Sequence, residues 1–351
     1  MVSRNDTFKK NSLYNSANNK YDFYPFLLNQ ILPGIIMGIY SKYQKLIGAD
    51  QNFMVSNVNV QVTGEAASEL IRKKLTGDAP VMIGRFGSTE LSIILNYYFI
   101  KGTILENTVN ILKGIPYFFN YKRGLLEDIN VISGVFPVDA KTIDRFCEVY
   151  LDDASQIDIL GSWLSYEKYL FKYMNKDSVR VQLEDLSPFN HTSPWSKALE
   201  GKKILVIHPF ENSIISQYRK RELLFPNKDV LPEFELKTIK AVESFANSKT
   251  HYKDWFEALD DMTEQINKTD FDIAILGCGA YGMPLAARIK RMGKKAIHIG
   301  GAVQCLFGIK GKRWEVPVYN YQERFYNEHW VRPMAAETPK GAGKVEGATY
   351  W

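Results

Sequence analysis

Short apolar runs that end in glycine-containing or otherwise turn-forming segments recur along the chain, and a helix-like spacing of apolar residues follows most of them. Such runs span residues 79–83, 204–207, 271–276 and 295–299. Apolar runs this short are typical of strands buried on both faces, whereas apolar residues three or four positions apart are typical of amphipathic helices. Strands that alternate with helices predict an α/β fold with a mostly parallel, Rossmann-like sheet flanked by helices.

The pattern of apolar residues in the other segments predicts further strands and helices. The segment "IDILGSWLSYEKYLFKYM" is typical of a strand, a turn and a helix, and it puts Trp163 just past a strand end. A further strand begins near residue 178. Helices are predicted over 63–76, 235–245 and 252–268.

Two regions are predicted along the chain. A polar and helical N-terminal extension, 1–60, precedes an α/β domain, 61–351, which can be divided into halves 61–200 and 201–351. Within the extension, an apolar stretch over 21–43 is interrupted by polar residues and a proline, which makes it a poor membrane span. We expect it to pack on the protein's own core, with peripheral membrane contact as the alternative.

Composition narrows the function classes. The net charge of +5 is spread thinly over 351 residues, so nucleic acid is not an expected partner. The three cysteines, Cys147, Cys278 and Cys305, are scattered and lack metal-binding spacing, which favours a reduced, cytoplasmic setting.

The segment 271–301 contains the most informative motif, a G-x-G-x-x-G formed by Gly277, Gly279 and Gly282. Glycines at this spacing between a strand and a helix allow a tight turn, close approach of a ligand and close helix–strand packing. The next strand ends at His298 without the carboxylate that holds a dinucleotide ribose, so the pattern disfavours NAD. A phosphate-bearing ligand and a purely structural turn both remain open.

The loop after His298 is glycine-rich and basic. Close backbone approach is expected at Gly300 and Gly301, and the polar side chains that follow include Gln304, Lys312 and Arg313. Such a loop beside a strand end is suited to clamping a diphosphate, although lysines on loops are often only solvated.

Three further candidates lie at predicted strand ends. Arg85 can fork two hydrogen bonds to phosphate or to sugar hydroxyls, and Glu90 is a candidate base that could also serve only as a charge at a helix N-terminus. His208 is the second base candidate, with a structural role as the alternative. Motifs for zinc, for P-loop nucleotide binding and for a serine nucleophile are absent from the sequence.

With these residues in view, the chain resembles the GT-D-type glycosyltransferases of bacterial surface-polysaccharide (for example capsule) clusters. The segment "VMIGRFGSTEL" is similar to their R-F-G-D-G-E motif, and "AIHIGGAVQC" is similar to an A-I-D-I-G-H segment followed by D-x-E. The resemblance implies a nucleotide-diphosphate sugar as donor and a glycan or lipid-linked acceptor. It covers most of residues 60–351.

The chain departs from that pattern at the metal-supporting positions. Ser88 replaces the aspartate of the first motif, and Val303 and Cys305 stand where the second carries its acids. Neither valine nor cysteine suits Mn²⁺ or Mg²⁺, so a divalent metal is disfavoured as cofactor. We expect Arg313, Lys312 and the amides after Gly277 to neutralise the diphosphate instead.

The sequence thus predicts a glycosyltransferase of hexosyltransferase type, cytoplasmic or at the inner face of the membrane. The alternative is a non-catalytic nucleotide-sugar or glycan-binding protein of a polysaccharide assembly system. A nicotinamide-dependent oxidoreductase is a weaker third hypothesis, supported only by the glycine motif.

Overall fold

A computed structural model describes residues 59–103, 121–245, 250–339, 342–344 and 348–351. Apart from Thr103, these belong to one compact unit made of Asp50–Gly102 and Asn120–Trp351. The predicted extension, including the apolar stretch over 21–43, lies outside the described residues except at its last positions.

Seven parallel strands form a single sheet, which confirms the predicted α/β class. Their order across the sheet is β3-β2-β1-β7-β6-β4-β5. One continuous sheet therefore takes strands from both 61–200 and 201–351. The strands are β1 Val81–Gly84, β2 Ile159–Ser162, β3 Val179–Gln182, β4 Lys203–His208, β5 Glu235–Lys240, β6 Ile273–Leu276 and β7 Lys295–His298.

Helices connect and cover these strands. Two of them begin with aspartate caps: Asp139 accepts a hydrogen bond from the Thr142 amide, and Asp254 accepts one from the Glu257 amide. Short 3₁₀ turns, among them Gly279–Tyr281 and Lys312–Glu315, join the elements. The α-helices are α1 Gly64–Thr76, α2 Ser88–Lys101, α3 Arg123–Val131, α4 Ala140–Ala154, α5 Glu211–Tyr218, α6 Arg221–Leu224, α7 Trp255–Asn267, α8 Gly282–Arg291, α9 Ala302–Leu306 and α10 Tyr321–Arg324.

The helix predicted over 235–245 is wrong. Residues Glu235–Lys240 form β5, which pairs residue by residue with β4. Pairing with a neighbouring strand overrides the weak local preference of this edge segment, because strand formation depends on tertiary contacts more than helix formation does.

The strand order creates a crevice between β4 and β6. From β4 the chain steps outward to β5, whereas from β6 it steps in the opposite direction to β7. Because crossovers between parallel strands are right-handed, the connections after β4 and β6 lie on opposite faces of the sheet. The carboxyl ends of these strands therefore border a topological switch point, where open α/β sheets bind ligands.

Two further sequence expectations concern the membrane and the cysteines. In the described ranges of the chain, no helix is both long enough and apolar enough to cross a membrane. Cys147, Cys278 and Cys305 are all buried and unbridged.

Candidate functional site

A cavity of about 150 Å³ opens at the carboxyl end of the sheet. That volume holds on the order of ten water molecules. Its walls come from segments at or after the ends of β1, β2, β4, β5, β6 and β7, so the switch point is part of a larger crevice.

Ten of the twelve predicted site residues line this one cavity. Gly282 and Lys312 do not: Gly282 is buried under a histidine ring, and Lys312 is exposed on the 3₁₀ turn Lys312–Glu315. The ten that meet are Arg85, Glu90, His208, Gly277, Gly279, His298, Gly300, Gly301, Gln304 and Arg313.

The glycine motif packs against the two histidines. A Cβ added at Gly277 would lie 2.6 Å from Cδ2 of His208, and one added at Gly282 would overlap the ring of His298. Gly279 differs, because it has a φ of +56° and nothing within 4 Å of an added Cβ. Two glycines of the motif thus make room for neighbouring rings, and the third leaves open space beside the backbone.

His208 is held as a neutral hydrogen-bond donor. Its Nδ1 accepts a 2.9 Å hydrogen bond from the Phe210 amide, so the proton is on Nε2. Burial lowers its pKa to about 3. Among the described residues Nε2 has no acceptor, and this tautomer suits contact with a phosphate or carbonyl oxygen better than it suits a base.

His298 has the opposite tautomer. Its Nδ1 lies 3.2 Å from the carbonyl oxygen of Leu276, which can only accept, so Nδ1 carries the proton and Nε2 a lone pair. Burial, reinforced by the charge of Arg85, lowers its pKa to about 3. His298 therefore offers the cavity an acceptor that stays neutral at physiological pH.

Arg85 follows β1 and extends across the sheet end towards Gly300. A Cβ added at Gly300 would lie 2.6 Å from Nη2 of Arg85, so the guanidinium passes directly over that glycine. Its Cζ is 6.0 Å from the centre of the Trp163 ring, and Nη1 donates to the Phe86 carbonyl at 3.1 Å. Within the described residues Arg85 has no ion-pair partner, which leaves its charge available to an anion.

Glu90 is in the first turn of α2 and is only 8% exposed. Its carboxylate folds back over Gly87, where a Cβ would lie 2.7 Å from Cδ of Glu90. A carboxylate at this position is stabilised by the helix dipole, and it also borders the cavity.

Gln304 and the aromatic ring of Tyr350 form the wall after β7, and the Trp314 ring packs against Tyr350 with centroids 6.0 Å apart. The Gln304 amide donates to the carbonyls of Ile309 at 3.3 Å and Tyr350 at 3.1 Å, which orients its oxygen as an acceptor. Tyr350 packs against Gly301, and Arg313 donates to the Tyr350 hydroxyl at 3.1 Å. The predicted basic loop is thus an aromatic and amide wall in which Arg313 is tied to Tyr350.

Several lining residues belong to no motif. The Tyr150 hydroxyl donates to the Ala280 carbonyl at 2.6 Å, and the Trp163 indole donates to the Phe86 carbonyl at 3.0 Å. Ser133 and Glu243 also face the cavity. Trp163 was expected beyond a strand end, but nothing in the sequence marks the other three.

Three buried oxygens of the cavity wall have no hydrogen-bond partner in the described part of the chain: Ser133 Oγ, Glu243 Oε1 and Gln304 Oε1. Buried polar atoms are nearly always hydrogen-bonded in native proteins. Gln304 Oε1, and Glu243 Oε1 when the carboxylate is ionised, can only accept hydrogen bonds.

No known protein family, curated protein or solved structure matches this chain.

Val303 and Cys305, which the sequence comparison above places opposite the acids of the D-x-E motif, are core residues. Val303 and Cys305 lie on α9 with no exposed surface, and burial raises the pKa of the Cys305 thiol well above its usual range. Within the described ranges, no three His, Cys, Asp or Glu side chains are grouped as metal ligands.

Proposed function

We propose that this protein is a glycosyltransferase of hexosyltransferase type. It moves a sugar from a nucleotide-diphosphate donor to a glycan or lipid-linked acceptor. The observation that carries the proposal is that one cavity combines Arg85, which has no ion-pair partner within the described residues, with buried oxygens that lack hydrogen-bond partners there. A sugar diphosphate matches both, because its phosphates accept hydrogen bonds and its hydroxyls donate them.

The diphosphate lies against Arg85 and the glycine turn in this proposal. The guanidinium forks two charge-assisted hydrogen bonds, and the amides that begin the turn supply further donors where helical bonding has not started. His208 adds a neutral Nε2–H donor. Negative charge that develops on the leaving group is then stabilised by groups already in position.

The sugar lies among the acceptors and aromatic rings. His298 Nε2, Gln304 Oε1 and the carboxylate of Glu90 accept from hydroxyls, while Trp163 and Tyr350 offer apolar faces to the pyranose ring. The small cavity suits a sugar-sized group with the nucleotide extending outward.

We place the reaction in the cytoplasm, at or near the inner face of the membrane. The free, buried cysteines agree with a reducing compartment. Membrane contact through 21–43 remains a prediction on residues outside the described ranges.

Calorimetric titration with a panel of UDP-, GDP-, CMP- and dTDP-sugars, with and without Mn²⁺ or Mg²⁺, tests the proposal. We expect at least one nucleotide sugar to bind and to be turned over, and Arg85→Ala to weaken its binding tenfold or more. The matched control is Arg219→Ala, at an exposed arginine outside the cavity. Absence of binding by every nucleotide sugar contradicts the proposal, and tight binding of NADH instead supports a dehydrogenase.

The alternative, a non-catalytic nucleotide-sugar or glycan-binding protein, is favoured by one observation. Val303 and Cys305, at the positions of the missing acids, are sealed in the core. Binding of a nucleotide sugar without turnover identifies this alternative.

A further inference from the structure

The segment after β5 crosses the cavity rim and is fastened at several points. Ser244 donates to the Gly134 carbonyl at 2.7 Å, and its Oγ lies 2.9 Å from the Tyr281 hydroxyl. The Val242 amide contacts the Met262 sulfur at 3.5 Å, and the Phe245 ring is 5.6 Å from that of Trp351. Glu243, between two anchored neighbours, is thereby held at the cavity wall.

These anchors tie Glu243 to the glycine turn. Tyr281 ends the 3₁₀ turn Gly279–Tyr281, and its ring stacks on Trp255 with centroids 4.8 Å apart and planes within 9°. The residue beside Glu243 is therefore bonded to the element that we assign to the diphosphate. A group presented from this loop and a ligand on the turn share one rigid frame.

Glu243 is half-buried, and one of its two carboxylate oxygens is buried without a partner among the described residues. Its Oε1 is buried without a hydrogen bond, and in the described ranges it forms no ion pair. The buried carboxylate of Glu337 provides a contrast, because it accepts hydrogen bonds from the amides of Asn212 and Ser213. A buried carboxylate oxygen without such partners costs stability, which points to a function.

We propose that Glu243 is the catalytic base of the glycosyl transfer. This inference rests on the proposed function. The Glu243 carboxylate takes the proton of the acceptor hydroxyl as the hydroxyl oxygen forms a bond to the anomeric carbon. The bond from the anomeric carbon to the diphosphate oxygen breaks, and the diphosphate leaves with the electron pair towards Arg85.

The electrostatic surroundings agree with this role. Burial raises the pKa of Glu243 to about 7; Glu337 adds to the increase and Lys240 opposes it. A base with a pKa near neutrality is half ionised at working pH and is still strong enough to remove a proton.

Glu90, the other carboxylate that lines the cavity, has a different environment. Glu90 is folded over Gly87 at the start of α2, where the helix dipole stabilises its charge. Because this carboxylate is packed against the backbone at Gly87, we assign Glu90 to binding a hydroxyl group.

The test compares wild type with Glu243→Gln, using whichever UDP-, GDP-, CMP- or dTDP-sugar the panel identifies and water as the acceptor. We expect kcat for nucleotide release to fall by about 10²–10⁴-fold with KM for the donor within about twofold. We also expect the wild-type rate to rise with pH through an apparent pKa near 7, and the variant to lose that rise. Glu328→Gln, at an exposed glutamate outside the cavity, is the matched control.

The outcomes separate the two proposals. Donor turnover with an unchanged rate and pH profile in Glu243→Gln overturns this inference and leaves the transferase intact. Absence of donor turnover in wild type overturns both. If Glu243→Gln does not fold, Glu243→Ala with added formate replaces it, and failure of formate to restore turnover in a folded variant counts against the base role.

Discussion

Gly300 shows how one missing side chain positions a charge. Its φ is +61°, and the guanidinium of Arg85 occupies the space where a Cβ would be. An L-residue is strained in this backbone region, and here a side chain would also displace the arginine. The position therefore links backbone conformation directly to the proposed anion site.

We expect Gly300→Ala to lower the free energy of unfolding by about 1–2 kcal/mol or more and to weaken nucleotide-sugar binding at least tenfold. Gly201→Ala is the matched control, because Gly201 has a φ of +69° and nothing within 4 Å of an added Cβ. It should lose similar stability and bind like wild type. Urea unfolding and calorimetry measure the two effects, and equal binding by both variants would refute the coupling between Gly300 and Arg85.

At the scale of elements, the glycine turn is a packing device as well as a candidate phosphate site. Gly282 has helical dihedral angles, with φ −62° and ψ −45°, so its backbone does not require glycine. Glycine is required here because the His298 ring occupies the space that a Cβ would fill. The predicted close helix–strand packing thus has a definite cause, the side chain at the end of β7.

If the His298 ring is the obstacle, the effect of Gly282→Ala on stability should change sign when that ring is removed. We expect Gly282→Ala to destabilise the wild type by about 1–3 kcal/mol, since the new methyl group overlaps the imidazole. In a His298→Ala background the same substitution should stabilise by up to about 1 kcal/mol, because alanine favours the helix. Chemical denaturation of the four proteins gives the coupling energy, and simple additivity would show that the ring is not the obstacle.

The sequence predicted strands with strong local patterns but missed β5, one of the two edge strands. Val81–Gly84 and Ile273–Leu276 are buried on both faces, and their apolar runs are unmistakable. Glu235–Lys240 has one paired neighbour and mixed exposure, so its strand character comes from pairing with β4. Glu243 was missed for the same reason, because no motif marks a residue that follows an unpredicted strand.

At the scale of the whole molecule, the candidate site is a product of topology. Arg85 and His298 are far apart in sequence, and they meet because β1 and β7 are adjacent in the sheet. Strand ends could be identified from the chain, but the strand order that brings them together could not. Placing candidates at strand ends was enough to gather ten of the twelve predicted residues.

Buried titrating groups have opposite effects on the stability of the fold. The pKa values of Glu167 and Glu243 are raised to about 7 by burial, so their contribution is fully present below pH 4.5 and is lost as pH rises through 7. The pKa values of His208 and His298 are lowered to about 3, so their contribution is present above pH 6.5 and is lost as pH falls towards 3. The two sets oppose each other between pH 4.5 and 6.5.

Substituting His208 or His298 should change how the free energy of unfolding depends on pH. Asparagine keeps the hydrogen bond of each Nδ1: at 208 its oxygen accepts from the Phe210 amide, and at 298 its amide donates to the Leu276 carbonyl. Below pH 6, where unfolded histidine takes up a proton and the folded ring does not, each variant should lose stability less steeply than wild type. The expected difference is about 1.4 kcal/mol per pH unit for one site and about twice that for both. Urea unfolding from pH 4 to 8 measures the slopes, and slopes that match wild type in both variants would mean that the folded rings are protonated.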